Sequence, residues 1–131
     1  MQTVASKFPV TGSQQSSSDA ERFALVKHTG ATGGVLVDAD GVGHRLTPIQ
    51  FDLLTMLWKR YDEDIGKHRT VRGYVSSLEL LCSLPWDAVQ PDLAHLKQLV
   101  RRVRRRLAPL GLGLEACYGL GYRLMFPEPN A

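Results

Sequence analysis

The chain has 131 residues, 44% hydrophobic and 22% charged, with 12 glycines and 7 prolines, a composition that suits one soluble domain rather than two. No apolar run approaches the roughly eighteen residues needed to cross a bilayer, and no charged segment followed by an apolar stretch opens the sequence, so neither membrane insertion nor secretion is expected and the expected compartment is the cytoplasm. The formal net charge of +3 is too mild to identify a partner by itself, and its distribution matters more than its sum. Cys82 and Cys117 lack CxxC spacing and paired histidines, so neither a disulfide framework nor a zinc site is read from them, and both are expected to behave as small buried hydrophobes.

In chain order, residues 1–22 are dense in Ser and Gln and poor in large apolar side chains. They cannot bury enough surface to offset their ordering entropy and are expected to form a flexible tail ahead of a domain spanning 23–131. Between residues 23 and 46, the short apolar runs FALV and VLV alternate with the glycine-containing turns TGATGG and ADGVG, the pattern of a small antiparallel sheet. Thr47 followed by Pro48 is an N-cap hydroxyl with proline at the first helical position. Ile49, Leu53, Leu54, Leu57 and Trp58 then recur at helical spacing, predicting a helix to about Arg60. Residues 62–73 have no clear period, Ser76 and Ser77 before Leu78, Leu80 and Leu81 mark a shorter second helix, and Pro85 ends it.

The third helix is the most informative segment. Pro91 and Asp92 open it, and Leu93, Leu96, Val100, Val103 and Leu107 fall at steps of three and four, so one stripe faces the core. At 100° per residue, Ala94, Gln98, Arg101 and Arg105 centre on the opposite face, flanked by His95, Lys97 and Arg102. Between Lys97 and Leu107 stand six cationic side chains and no acid. A run of arginines is often only a solvated face. Here no carboxylate lies at i±4 to pair with it, a helix fits the B-DNA major groove, and Arg and Gln are the side chains that bond guanine and adenine bidentately. Glycines 111 and 113 close the helix, and LEACY and YRLMF around Gly119-Leu120-Gly121 predict a terminal hairpin.

The whole succession resembles the OmpR/PhoB-type winged-helix DNA-binding domain of bacterial response regulators. The residues that carry the resemblance are Leu46-Thr47 followed by Phe51, Leu53 and Leu54; Val75-Ser76 before Leu80-Leu81; Trp86; RRVRRRL at 101–107; and Gly119-Leu120-Gly121-Tyr122-Arg123-Leu124. The likeness covers about residues 23–126. It implies an α+β winged helix-turn-helix fold with an N-terminal antiparallel sheet, three helices and a C-terminal β-hairpin wing. It also implies sequence-specific binding of double-stranded DNA as a transcription regulator, with the third helix in the major groove and a homodimer on DNA as a further expectation. The family's base- and phosphate-facing positions match His95, Gln98, Arg101, Arg102 and Arg104, to which periodicity adds Lys97 and Arg105. Trp86 matches a tryptophan that approaches the phosphate backbone, with half-buried packing an equally good explanation, and Tyr118 and Arg123 are the wing's candidate contacts. Ser77, Ala94 and Tyr118 stand where the family commonly has arginine, so a weak wing contact is expected. Relative to the family, residues 62–73 resemble an insertion whose Lys67, Arg69 and Arg72 are candidate replacement phosphate contacts, against the reading of a solvated loop. The polar residues ahead of the sheet are too few for a phosphorylatable receiver domain, so the expectation is a stand-alone regulator or a piece of a longer one.

No catalytic constellation is expected. Asp62, Glu63 and Asp64 read as a solvated acidic patch, and His28, His44, His68 and His95 are scattered without metal-ligand spacing. GATGG at 30–34 lacks the Lys-Ser/Thr ending of a phosphate loop and reads as a turn. No cofactor and no metal are anticipated. RNA binding is disfavoured because no aromatic stacking platform stands out. The competing reading is a protein-interaction module docking on RNA polymerase or another regulator, since fold does not fix function.

Overall fold

The computed structural model describes residues 3–5, 22–28 and 33–127, and shows three α-helices and two small antiparallel sheets, an α+β arrangement. The first sheet follows chain order: β1 (Thr3–Ala5), β2 (Ala24–His28), β3 (Gly34–Val37) and β4 (Gly43–Leu46). The register sets Leu25 opposite Leu36, and both are buried, so one face of the sheet covers the helices. At the turn between β3 and β4 the Asp38 carboxylate accepts the N–H groups of Asp40 and Val42 at 2.9 and 3.0 Å. Its other oxygen meets His44 Nε2 at 2.9 Å, and the His44 hydrogen bond is the main reason the Asp38 carboxyl sits below its usual range.

β1 departs from the expected tail. Thr3, Val4 and Ala5 pair antiparallel with His28, Lys27 and Val26, so part of the Ser/Gln-rich segment enters the sheet as its edge strand. Strand pairing is made through backbone groups, which side-chain composition does not register. Residues 6–21 of that tail lie outside the described residues.

α1 (Pro48–Glu63) starts as its sequence dictates. Thr47 Oγ1 accepts the Gln50 N–H at 3.3 Å and Gln50 Oε1 accepts the Thr47 N–H at 3.1 Å, a reciprocal capping box with proline at the first position. The helix continues to Glu63, a turn beyond the expected end at Arg60. Phe51, Leu53, Leu54, Leu57 and Trp58 are buried, and Phe126 closes over this end of the core with ring centroids 5.2 Å from Trp58 and 5.0 Å from Tyr61. α2 (Ser77–Ser83) is capped by Ser76 Oγ, which accepts the Glu79 N–H at 3.1 Å. Leu80 is its one buried residue. Cys82 lies two positions on, 200° around the helix, and is exposed, while Cys117 is half-buried, so neither is the buried hydrophobe expected.

α3 (Leu93–Leu107) presents Leu96, Leu99, Val100, Val103 and Leu107 to the core. The expected stripe is displaced at its start: Leu93 is exposed and Leu99 takes a place inside, because the buried arc centres between Leu99 and Leu107 rather than on the first residue. A 3-10 turn at Ala108–Leu110 leads into β5 (Gly113–Cys117) and β6 (Gly121–Met125). Val75, just ahead of α2, adds to this hairpin through two backbone hydrogen bonds with Tyr122, of 2.8 and 3.0 Å. Gly121 makes that approach: its φ is +114°, and a Cβ there would overlap the Val75 carbonyl oxygen. Among the described residues no helix is long and apolar enough to cross a membrane.

Candidate nucleic-acid interface

The α3 surface is built from its first turn. Asp92 Oδ1 accepts the N–H groups of Ala94 and His95 at 3.0 and 3.2 Å, and His95 Nδ1 lies 2.8 Å from the same oxygen. The bond from the His95 backbone, then that from its ring, lowers the Asp92 carboxyl below its usual range, so the cap stays charged at the positive end of the helix dipole. His95 thus takes part in the cap, and its ring meets Trp86 edge-on at a centroid distance of 6.4 Å. Trp86 is half-buried and its indole N–H donates to the Leu80 carbonyl at 3.3 Å. The one donor it could have offered a phosphate is turned inward, so packing rather than backbone contact accounts for this tryptophan.

Beyond the cap, Lys97, Gln98, Arg101, Arg102 and Arg105 are all exposed. None of the four cations among them forms an ion pair with any described acid. The remaining two arginines of the helix behave differently. Arg104 Nε donates to the Leu114 carbonyl of β5 at 3.1 Å, and Arg106 Nη2 donates to the Arg45 carbonyl of β4. They leave opposite flanks of α3 and fasten it to both sheets, which fixes the angle at which the free face is held out. Arg104, expected to face nucleic acid, is in part a strap. Beside the helix start runs a groove of about 360 Å³, floored by Ile49, Trp86 and Leu99 and edged by His95, Gln98 and Arg102.

The hairpin divides its two candidates. Tyr118 is fully exposed at the tip. Arg123 is turned inward: its Nε and Nη2 reach Glu115 Oε1 at 2.8 and 2.7 Å, Nη1 donates to the carbonyls of Arg69 and Arg72, and the guanidinium lies 4.6 Å from the Tyr74 ring centroid. With its side chain only 16% exposed, Arg123 spends four of its five N–H groups inside the protein, where it organises the neighbouring loop rather than facing outward as expected. The cause is register, since Glu115 stands directly opposite Arg123 on the same face of the hairpin.

The loop 64–74 packs on α1 and β6. Asp64, expected in a solvated patch, is buried, with Oδ2 accepting the Gly73 N–H at 2.9 Å and Oδ1 paired with Lys67 Nζ at 3.2 Å. Arg72 donates to the Ile65 carbonyl and lies over the Tyr61 ring, 5.4 Å from its centroid. Of the three loop cations only Arg69 has a side chain without an internal contact, its carbonyl alone being used. Burial, then the neighbouring Glu63, pushes the Asp62 carboxyl up to about 6. The contacts that sequence reasoning missed, those of Arg106 and Asp64, join residues far apart in the chain or in a loop without period. The Arg123–Glu115 pair had a signal, because both residues stand four positions from Gly119 in the glycine tip.

No protein-family model, no curated protein and no solved structure matches this chain.

Proposed function

We propose that the protein is a winged-helix transcription regulator of the OmpR/PhoB type that binds double-stranded DNA, with the free face of α3 in the major groove. The observation that carries this reading is the contrast within one helix: Arg104 and Arg106 hold it to the sheets, while Lys97, Gln98, Arg101, Arg102 and Arg105 stand exposed with four cations unpaired by any described acid. A helix of fifteen residues is about 22 Å long, enough to lie along the groove. Gln98 and Arg102, beside the groove that begins at the helix cap, are assigned to base edges. Lys97, Arg101 and Arg105 are assigned to phosphates, and Tyr118 gives the hairpin at most one neutral hydrogen bond.

The test is selection of duplexes from a randomised pool, followed by titration of the selected site at several salt concentrations. Arg102→Ala should weaken the selected site by about 1–3 kcal/mol and relax its preference at one base pair, whereas Lys97→Ala should weaken all duplexes alike. Failure to enrich any sequence, together with unchanged affinity on removing the arginines, overturns the proposal. The second reading, a docking module for another protein, draws on exposed apolar side chains at Leu78, Tyr118 and Leu120. It calls for a partner whose binding survives loss of the α3 cations and fails on substitution of Leu78 and Tyr118.

A further inference from the structure

A second cleft of about 390 Å³ lies away from the exposed α3 face, between the first sheet, the start of α1 and the last turns of α3, and Arg45, Arg106, His28 and Gln50 line it. Among the described residues its lining carries two arginines and a histidine and no carboxylate. Arg45 forms no ion pair with any described acid. Arg106 uses Nη2 on the Arg45 carbonyl, which positions its guanidinium at the cleft and leaves further N–H groups unused. The start of α1 contributes the partial positive charge of a sixteen-residue helix.

A separate observation concerns Gln50. It is only 8% exposed, and its Oε1 is held by the Thr47 N–H, which fixes the orientation of the amide and turns Nε2 the other way. Nε2 makes no hydrogen bond among the described residues. Trp58 Nε1 is the one polar side-chain atom among them that is both enclosed and unpartnered, so Gln50 Nε2 is not sealed off, and Gln50 is one of the residues that line the cleft. A nearly buried amide with an unused donor, on the wall of a cleft lined by two arginines, suits an acceptor-only group.

We infer that this cleft binds the phosphoryl group of a small phosphorylated molecule, with Arg45 and Arg106 as its charged donors and Gln50 Nε2 as its neutral one. The volume exceeds what a bare phosphate fills and suits a monoester whose organic part rests on Leu46 and Thr47. A diester of duplex DNA is a poor occupant, because Arg106 lies 100° around α3 from Arg105 and turns toward β4. The inference does not rest on DNA binding and stands or falls separately from it.

The test is calorimetric titration of the full chain with inorganic phosphate and with adenosine monophosphate at low ionic strength. Saturable binding at one site per chain is expected, weakened about tenfold or more by Arg45→Gln, an exposed residue with no side-chain bond to lose, and unchanged by Arg102→Gln on the outer face of α3. Binding should persist when the chain is saturated with duplex DNA. Absence of saturable binding, equal weakening by both substitutions, or displacement of phosphate by duplex overturns the inference.

Discussion

The exposed face of α3 and the hairpin with its adjoining loop are both rich in cations, yet their cations are engaged differently. On α3 the side chains of Lys97, Arg101, Arg102 and Arg105 stand in solvent without acidic partners. Around the hairpin, Arg123 is bonded to Glu115 and two carbonyls, Arg72 donates to the Ile65 carbonyl and lies over the Tyr61 ring, and Lys67 pairs with Asp64, which leaves Arg69 as the loop cation without an internal contact. Counting positive charge would treat the two regions alike. Asking which side chains already have a partner separates a surface whose cations all stand ready for an external anion from one whose cations mostly hold the protein's own groups.

The contrast breaks most sharply if α3 is neutralised. The triple substitution R101Q, R102Q, R105Q should reduce duplex affinity at least about a hundredfold and, through the two phosphate-assigned arginines, lower the slope of log K against log salt by nearly two, while thermal stability stays within about 0.5 kcal/mol. Fluorescence titration across salt and a melting curve read both halves. Arg123→Ala should do the reverse. It leaves Glu115 and the carbonyls of Arg69 and Arg72 without their donor, and should destabilise the fold by about 2 kcal/mol, roughly 10 °C in Tm, with duplex affinity unchanged at low temperature.

A smaller effect lies at the end of α1, where burial holds the Asp62 carboxyl near 6, above its unfolded value of 3.8. The folded state therefore binds the proton more tightly, and the ionised group weakens the fold above that pH. Asp62→Asn should stabilise by about 1 kcal/mol at pH 7.5 after allowance for solvent screening, with the gain shrinking through pH 6 and vanishing near pH 4, as urea midpoints across pH would record. The smallest expected effect is at the hairpin tip. Tyr118→Arg adds one unpaired cation at the tip, and should steepen the salt slope by about one and tighten binding to AT-rich flanks. An unchanged slope would mean that the tip stands clear of DNA.

Helix starts were legible because their signals are local: Thr47-Pro48, Ser76 and Asp92 each cap the helix that the sequence assigned to them. The outward placement of Gln98, Arg101 and Arg105 followed from periodicity alone. What escaped was non-local. Arg104 and Arg106 look like their neighbours in RRVRRRL, and only the carbonyls of Leu114 and Arg45, on two different sheets, set them apart. The pairing of Thr3–Ala5 with β2 uses no side-chain pattern, and Asp64 is buried by a loop whose path no period describes. Leu93 and Leu99 exchanged roles because a helix's buried arc is set by what packs on it, and a stripe drawn from its first apolar residue is free to rotate by a fraction of a turn.

The contact of Gly121 with Val75 has a consequence for how this chain tolerates change in length. Two hydrogen bonds to Tyr122 return the backbone to a fixed point immediately before Ser76 caps α2, whatever path the preceding residues take. They act as a phase marker: the segment between Gly66 and His68, exposed throughout, can gain residues at a closure cost that grows only logarithmically, while α2, α3 and the hairpin keep their mutual register. A foreign peptide could be carried there, and any side chain at position 121 would forfeit that freedom by prying the marker open.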